Sequence, residues 1–138
     1  MIVDSSALLA VVFDEPERSA FVEAMLTSKC QASAATIAEA GIVADRRSTQ
    51  LSRELDALLA ELEVETAPVT PRQATRARTA YRRYGRGSGS PAQLNFGDCL
   101  TYALAAESGE ELLFKGDDFG HTDLLLAAAS TSRGAAST

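Results

Sequence analysis

The first four residues, Met-Ile-Val-Asp, constrain the fold more than any other stretch. An apolar run too short for a helix ends abruptly on a charge. Runs of this kind are strands buried on both faces of a parallel sheet. Parallel strands need crossovers of a dozen or more residues, usually helical. The chain supplies them. After residues 1–4, residues 5–13 read as a helix with Ser5 or Ser6 as cap and Leu8, Leu9, Val12 and Phe13 on its buried face. Asp14 to Glu17, with Pro16, mark a turn or a new helix with Pro in its first turn, and residues 17–28 read as a second helix with Phe21, Val22, Met25 and Leu26 inward.

The alternation continues. Residues 30–33 read as a second strand, and residues 36–47 as a helix with small packing positions at Ala40 and Ala44. Residues 51–62 carry Leu51, Leu55, Leu58, Leu59 and Leu62 at helical spacing. Residues 63–67 mix charge with Val64 and Thr66, as an edge strand does. Pro71 opens a helix to about Tyr84, and the Gly- and Ser-rich stretch 85–95 reads as a flexible connection. Residues 97–107 form the next helix, 111–114 a fourth strand, 116–123 a polar loop and 124–127 a last short strand. Strands alternating with helices imply an α/β sandwich with a mostly parallel sheet. The chain has no internal repeat. One domain is expected over residues 1–128, with 129–138 as a loose polar tail.

Composition narrows the function. At 46% hydrophobic and 23% charged residues the chain is an ordinary globular one, without a spanning run of 18 apolar residues or a basic leader. Cys30 and Cys99 form no CxxC pair and sit among apolar neighbours, which reads as two buried thiols and a cytoplasmic protein. The net charge of -6 weighs against broad electrostatic binding of nucleic acid. The basic residues are unevenly spread, however. Arg72, Arg76, Arg78, Arg82, Arg83 and Arg86 form one dense run, suited to a phosphate backbone or an acidic partner.

The acids are the informative residues. Asp4 ends the first strand, Asp117 and Asp118 follow the fourth, and Glu39 and Asp98 are expected in the first turns of their helices. Ligands of open parallel sheets collect at the C-terminal strand edge, so these five acids can face one cleft. A charge ending an apolar strand is costly unless paired or metal-bound. Asp98 alone is equally well a partner of its helix dipole, and Ser6 is as good a helix cap as a water ligand. Clustered carboxylates raise one another's pKa, and a divalent cation relieves that cost. With oxygen ligands and a single His, at position 121, Mg²⁺ or Mn²⁺ is favoured over zinc. Two such ions can activate water at phosphorus without a protein nucleophile. The stretch 85–91 lacks the GK[ST] of a P-loop. Neither GxGxxG nor GxSxG occurs, and His121 reads as a loop residue.

The stretches IVDSSALLAVVFDEPE at 2–17, SAATIAEAGIVADRR at 33–47 and LNFGDCLTYALAAESGEELLFKGDDFGHTD at 94–123, with YRRYGRG between them, resemble PIN-domain ribonucleases, and within these the VapC-type toxins of bacterial toxin–antitoxin pairs. The resemblance covers the chain to about residue 128. It implies a three-layer α/β/α sandwich around a five-stranded parallel sheet, Mg²⁺ or Mn²⁺ dependence, and endonucleolytic cleavage of RNA. It also implies a homodimer, and a small VapB-type antitoxin laid across the acids. Asp4, Glu39 and Asp98 match the first three acidic positions of the family. At the fourth, Gly116 stands where many relatives carry Asp, which leaves Asp118 first and Asp117 second. Two rivals remain: a non-catalytic PIN-like scaffold, favoured by Gly116, and a receiver-like phosphate-handling domain, for which Lys115 is the only late lysine.

Overall fold

In the computed structural model, which describes residues 1–130, four short parallel strands carry the whole architecture. They are β1 (Ile2–Val3), β2 (Gln31–Ser33), β3 (Glu65–Ala67) and β4 (Leu112–Leu113), in the spatial order β3-β2-β1-β4. Ile2 pairs with Leu112 and Gln31, Val3 with Leu113, and Ser33 with Ala67. β3 is an edge strand, as its charges imply. The expected fifth strand is reduced to one parallel bridge, Leu112 to Leu126, closed by Ala127 N–H donating to Leu112 O at 2.9 Å.

Side-chain alternation along the two central strands divides the core. Ile2 and Leu112 face a cluster built with α5 (Pro71–Tyr84) and α6 (Phe96–Ser108). Val3 and Leu113 face the opposite cluster, built with α1 (Ser5–Val12), α2 (Arg18–Leu26), α3 (Ala34–Arg47) and α4 (Thr49–Glu61). A two-residue strand can serve both layers because neighbouring side chains point to opposite faces. Each fully buried side chain of this kind is worth about 1.5–3 kcal/mol. The result is helices on both faces of a parallel sheet.

Several local expectations need correction. Asp4, not Ser5 or Ser6, caps α1, because the chain leaves β1 directly into the helix. Leu26 is 67% exposed, since α2 ends there and turns its last residue outward. α3 starts at Ala34 behind the cap Ser33, which puts Glu39 in the second turn rather than the first. The stretch 85–95 is not a loose connection. Gly85 bridges Leu94, Ser88 Oγ donates to Gly85 O at 2.6 Å, Ser90 Oγ accepts the Ala92 N–H, and Ala92 and Leu94 are fully buried.

Cys30 and Cys99 are both buried and free. No helix among the described residues is long and apolar enough to cross a membrane. Most of the expected tail, residues 131–138, lies outside the described residues. Ser130 still belongs to the sheet: its hydroxyl accepts the Phe114 N–H at 3.1 Å and donates to Leu112 O at 3.0 Å.

Candidate active site

Asp4 sits at the exit of β1 with 4% of its surface exposed. As helix cap, its Oδ2 accepts the Ser6 N–H at 3.1 Å and the Ser6 hydroxyl at 2.6 Å. Its Oδ1 accepts the Thr101 hydroxyl, from α6, at 3.0 Å. Thr101 has one hydroxyl proton and gives it to Asp4, so Thr36 donates in the 3.0 Å contact between the two threonines. Ser6 is likewise committed: its oxygen accepts the Lys115 N–H at 3.0 Å. Hydroxyls from α1 and α6 thus hold one buried carboxylate, and Thr36 of α3 holds Thr101 in turn. Burial nonetheless raises the pKa of Asp4 above the usual carboxylate value, the bonds from Ser6 and Thr101 pull it down, and the charge of Glu39 adds to the rise.

Glu39 reaches the same region from α3. Its Oε1 accepts the Ser5 hydroxyl at 2.6 Å. Its other side lies against Gly97, where a Cβ atom would fall 2.5 Å from Glu39 Oε2. A glycine is needed there for the space it leaves, because its backbone is ordinary helix.

Asp98 is the third residue of α6 and closes a capping box. Asn95 Oδ1 accepts the Asp98 N–H at 2.8 Å, and Asp98 Oδ2 accepts the Asn95 N–H at 3.0 Å. Such caps contribute about 1 kcal/mol. Burial pushes the Asp98 carboxyl up to about 7, the Asn95 N–H opposes this, and the charges of Asp4 and Asp118 add to it. Asp98 is therefore a partner of its own helix start, and it also lies under the influence of Asp4 and Asp118.

Asp118 is half-buried, just before the short 3₁₀ turn Phe119–His121, and it acts directly on Asp98. Asp117 is exposed on the same loop, after Gly116 with its φ of +120°. The structure thus brings together Asp4, Glu39, Asp98 and Asp118, with Asp117 on the outer side. His121 is exposed. Lys115 turns toward the α1–α2 turn, 2.9 Å from Glu15 Oε2 and 2.8 Å from Glu17 Oε2. That engagement removes the free late lysine that a receiver-like site requires.

Among the described residues, no three His, Cys, Asp or Glu side chains already stand at separations that hold a metal ion. The chemistry of the donors nevertheless fits a hard divalent cation. All are carboxylates, two have raised pKa values, and hydroxyls rather than cations surround them. Sequence reasoning missed Thr101, Thr36 and Ser5. A signal for Thr101 was present: it lies three residues after Asp98, on the same helix face.

The PIN-domain family profile matches residues 1–125. The chain is 52% identical over 124 residues to ribonuclease VapC28 of Mycobacterium tuberculosis, a match covering 88% of this chain and 93% of that protein. It is 45% identical over 126 residues to ribonuclease VapC42 of the same species, covering 90% and 96%. In fold it is similar to the Sarcin-Ricin loop cleaving toxin VapC20 of Mycobacterium tuberculosis, with a TM-score of 0.72, 16% identity, and coverage of 91% of this chain and 97% of the other. A toxin–antitoxin complex from Klebsiella pneumoniae matches with a TM-score of 0.71 at 16% identity, covering 91% and 95%. On sequence and architecture together, the chain belongs to the PIN-domain family and, within it, to the VapC ribonucleases, the endoribonuclease toxins of bacterial toxin–antitoxin systems.

Proposed function

We propose that this endoribonuclease is a Mg²⁺ enzyme, with Mn²⁺ as substitute, whose catalytic and metal-holding residues are Asp4, Glu39, Asp98 and Asp118, with Asp117 as an outer neighbour. The observation that carries the reading is geometric: Asp4 at the end of β1, Glu39 packed against Gly97, and Asp98 of α6 beside Asp4 and Asp118 bring carboxylates from four stretches of the chain to one place. Asp4 and Asp98 would hold the principal cation, and Asp118 or Asp117 would complete an outer position. When bound, such a cation supplies Lewis acidity at the scissile phosphate and makes water a competent nucleophile at neutral pH.

The chain's own residues do the positioning. The Ser6 and Thr101 hydroxyls fix the orientation of Asp4, and the Asn95 N–H fixes that of Asp98. Ser5 orients Glu39 as the proton acceptor. Water attacks phosphorus, its proton passes to Glu39, and the bond from phosphorus to the 3′ oxygen breaks. The leaving oxygen takes a proton from solvent. A 5′-phosphate and a 3′-hydroxyl result.

The same reading gives the protein a VapB-type antitoxin, whose C-terminal segment places a basic side chain among the acids, and a homodimeric state in the cytoplasm. Replacing Asp4 or Asp98 by Asn should reduce RNA cleavage by about 10³-fold with the circular dichroism spectrum unchanged. Full metal-dependent activity in both variants would sink the assignment. The scaffold reading draws on Gly116 at the fourth acidic position and on the lack, among the described residues, of a ready-made metal cluster. Calorimetric titration with Mg²⁺ separates the two: the nuclease binds it and Asp98→Asn weakens binding, whereas a scaffold gives no heat.

A further inference from the structure

Beside the acid cluster, α5 and α6 enclose a cleft of about 820 Å³ that the chemistry described so far does not use. Its walls are apolar and aromatic. Phe96, the first residue of α6, is 78% exposed at its mouth, and Tyr81 is 44% exposed across from it. Both figures are far above what a large aromatic side chain keeps in a settled core. Tyr81 lies over Gly85. Its ring lies so close to Gly85 that a Cβ there would fall 2.7 Å from Cδ2. Arg78, Arg82 and Arg86 line the same cleft at four-residue spacing.

We infer that this cleft is the subsite for an unpaired stretch of the RNA, its bases stacking on Phe96 and Tyr81 and its phosphates meeting Arg78, Arg82 and Arg86. The inference rests on the ribonuclease reading and adds the form in which substrate arrives. Alternating aromatic faces and cations are what sequence-tolerant single-strand binding uses. A continuous duplex buries its base faces and leaves Phe96 and Tyr81 nothing to stack on.

Charge argues for this occupant over a second copy of the chain. Between residues 66 and 97 there is no Asp or Glu, and six of the 13 basic residues lie there. None of Arg78, Arg82 and Arg86 has an ion pair among the described residues. A twofold contact through this face would set those arginines against themselves, whereas a polyanion satisfies them. Position agrees. Asn95 and Phe96 line the cleft, and the Asn95 backbone is bonded to the Asp98 carboxylate at 3.0 Å. A strand seated there leads directly to the acids.

The test uses the full chain carrying Asp98→Asn, so that RNA is bound and not cut. Fluorescence anisotropy is read with a labelled ten-nucleotide oligoadenylate and with an abasic oligonucleotide of equal length. The oligoadenylate should bind tighter than the abasic strand. Adding Phe96→Ala or Tyr81→Ala should weaken the oligoadenylate about tenfold and the abasic strand hardly at all. Each of Arg82→Gln and Arg86→Gln should lower the slope of log affinity against log salt by about 0.7 for both strands. Equal binding of the two strands to the unaltered cleft overturns the inference and leaves the ribonuclease reading intact. So does a change from dimer to monomer in sedimentation on Phe96→Ala, which would assign the face to a second copy. Absence of any RNA cleavage by the native chain with Mg²⁺ or Mn²⁺ would instead strike the ribonuclease reading, whatever the oligonucleotides do.

Discussion

The acid cluster and the α5–α6 face lie side by side on α6 and are built on opposite terms. At the cluster, Asp4 is nearly fully buried and each oxygen is fixed by a named donor. On the neighbouring face, Arg78, Tyr81, Arg82 and Arg86 are exposed, and the three arginines lack ion-pair partners among the described residues. The first region invests in geometry, because in-line chemistry at phosphorus tolerates little misplacement. The second carries long-range attraction, which needs charge but not a single orientation. The separation lets a chain of net charge -6 keep five of its 19 acids where a cation would sit and six arginines, free of neighbouring acids in sequence, where a phosphate backbone could lie.

The contrast can be broken most sharply at the acids. Asp4→Asn and Asp98→Asn should each reduce cleavage by about 10³-fold, measured on a labelled RNA, with the fold retained. A smaller but more telling effect is expected at Gly97. An alanine there displaces Glu39 and should cost about 100-fold in cleavage. Chemical denaturation should show unchanged or slightly raised stability, since alanine is the better helix former by about 1 kcal/mol. A parallel loss of stability and activity would show that Gly97 serves the fold instead. Asp118→Asn should reduce cleavage at least tenfold more than Asp117→Asn, because only Asp118 is half-buried beside Asp98; equal losses would erase the distinction between them.

Acid has its own signature. The folded pKa of Asp98 is about 7, above its ordinary 3.8. The folded chain therefore binds this proton more tightly than the unfolded chain does. The stabilising contribution is complete below about pH 4 and is lost as pH rises through 7. In chelator, the native chain should gain about 1–2 kcal/mol between pH 8 and pH 5 after allowing for solvent screening. Asp98→Asn should flatten that rise; an identical pH profile in the variant would assign the titration to another group. The smallest effect belongs to the exposed face: the triple change Arg78→Gln, Arg82→Gln, Arg86→Gln should leave stability within about 0.5 kcal/mol, and a larger drop would reveal a structural task for those arginines.

Much of this was legible in the chain. The strand-then-acid pattern at residues 1–4, the leucine spacing of α4 and the Pro71 start of α5 all reflect local rules that tertiary packing left intact. Asp98 was placed correctly because Asn95 and Asp98 form a local capping pair. Part of what failed was local, such as the caps Asp4 and Ser33, and part was decided by distant contacts. The glycines and serines of 85–95 signal flexibility, yet Leu94 is drawn into the core and the serines bond their own turns. Thr101 shares a helix face with Asp98, but the role itself comes from its approach to Asp4, 97 residues away. Gly97 reads as a weak helix residue until Glu39 arrives from α3.

One consequence follows from the kind of donors that surround the carboxylates. Ser5, Ser6 and Thr101 supply dipoles, not charge, and Lys115 is engaged by Glu15 and Glu17. The carboxylates Asp4, Glu39 and Asp98 therefore carry a demand for positive charge that no ion pair among the described residues meets. Any cation that meets it excludes the next. On the proposed reading the activating metal and a basic antitoxin side chain compete for the same carboxylates, so that raising metal concentration loosens the inhibitor and holding the inhibitor starves the enzyme of metal. Activity and restraint would draw on the same deficit.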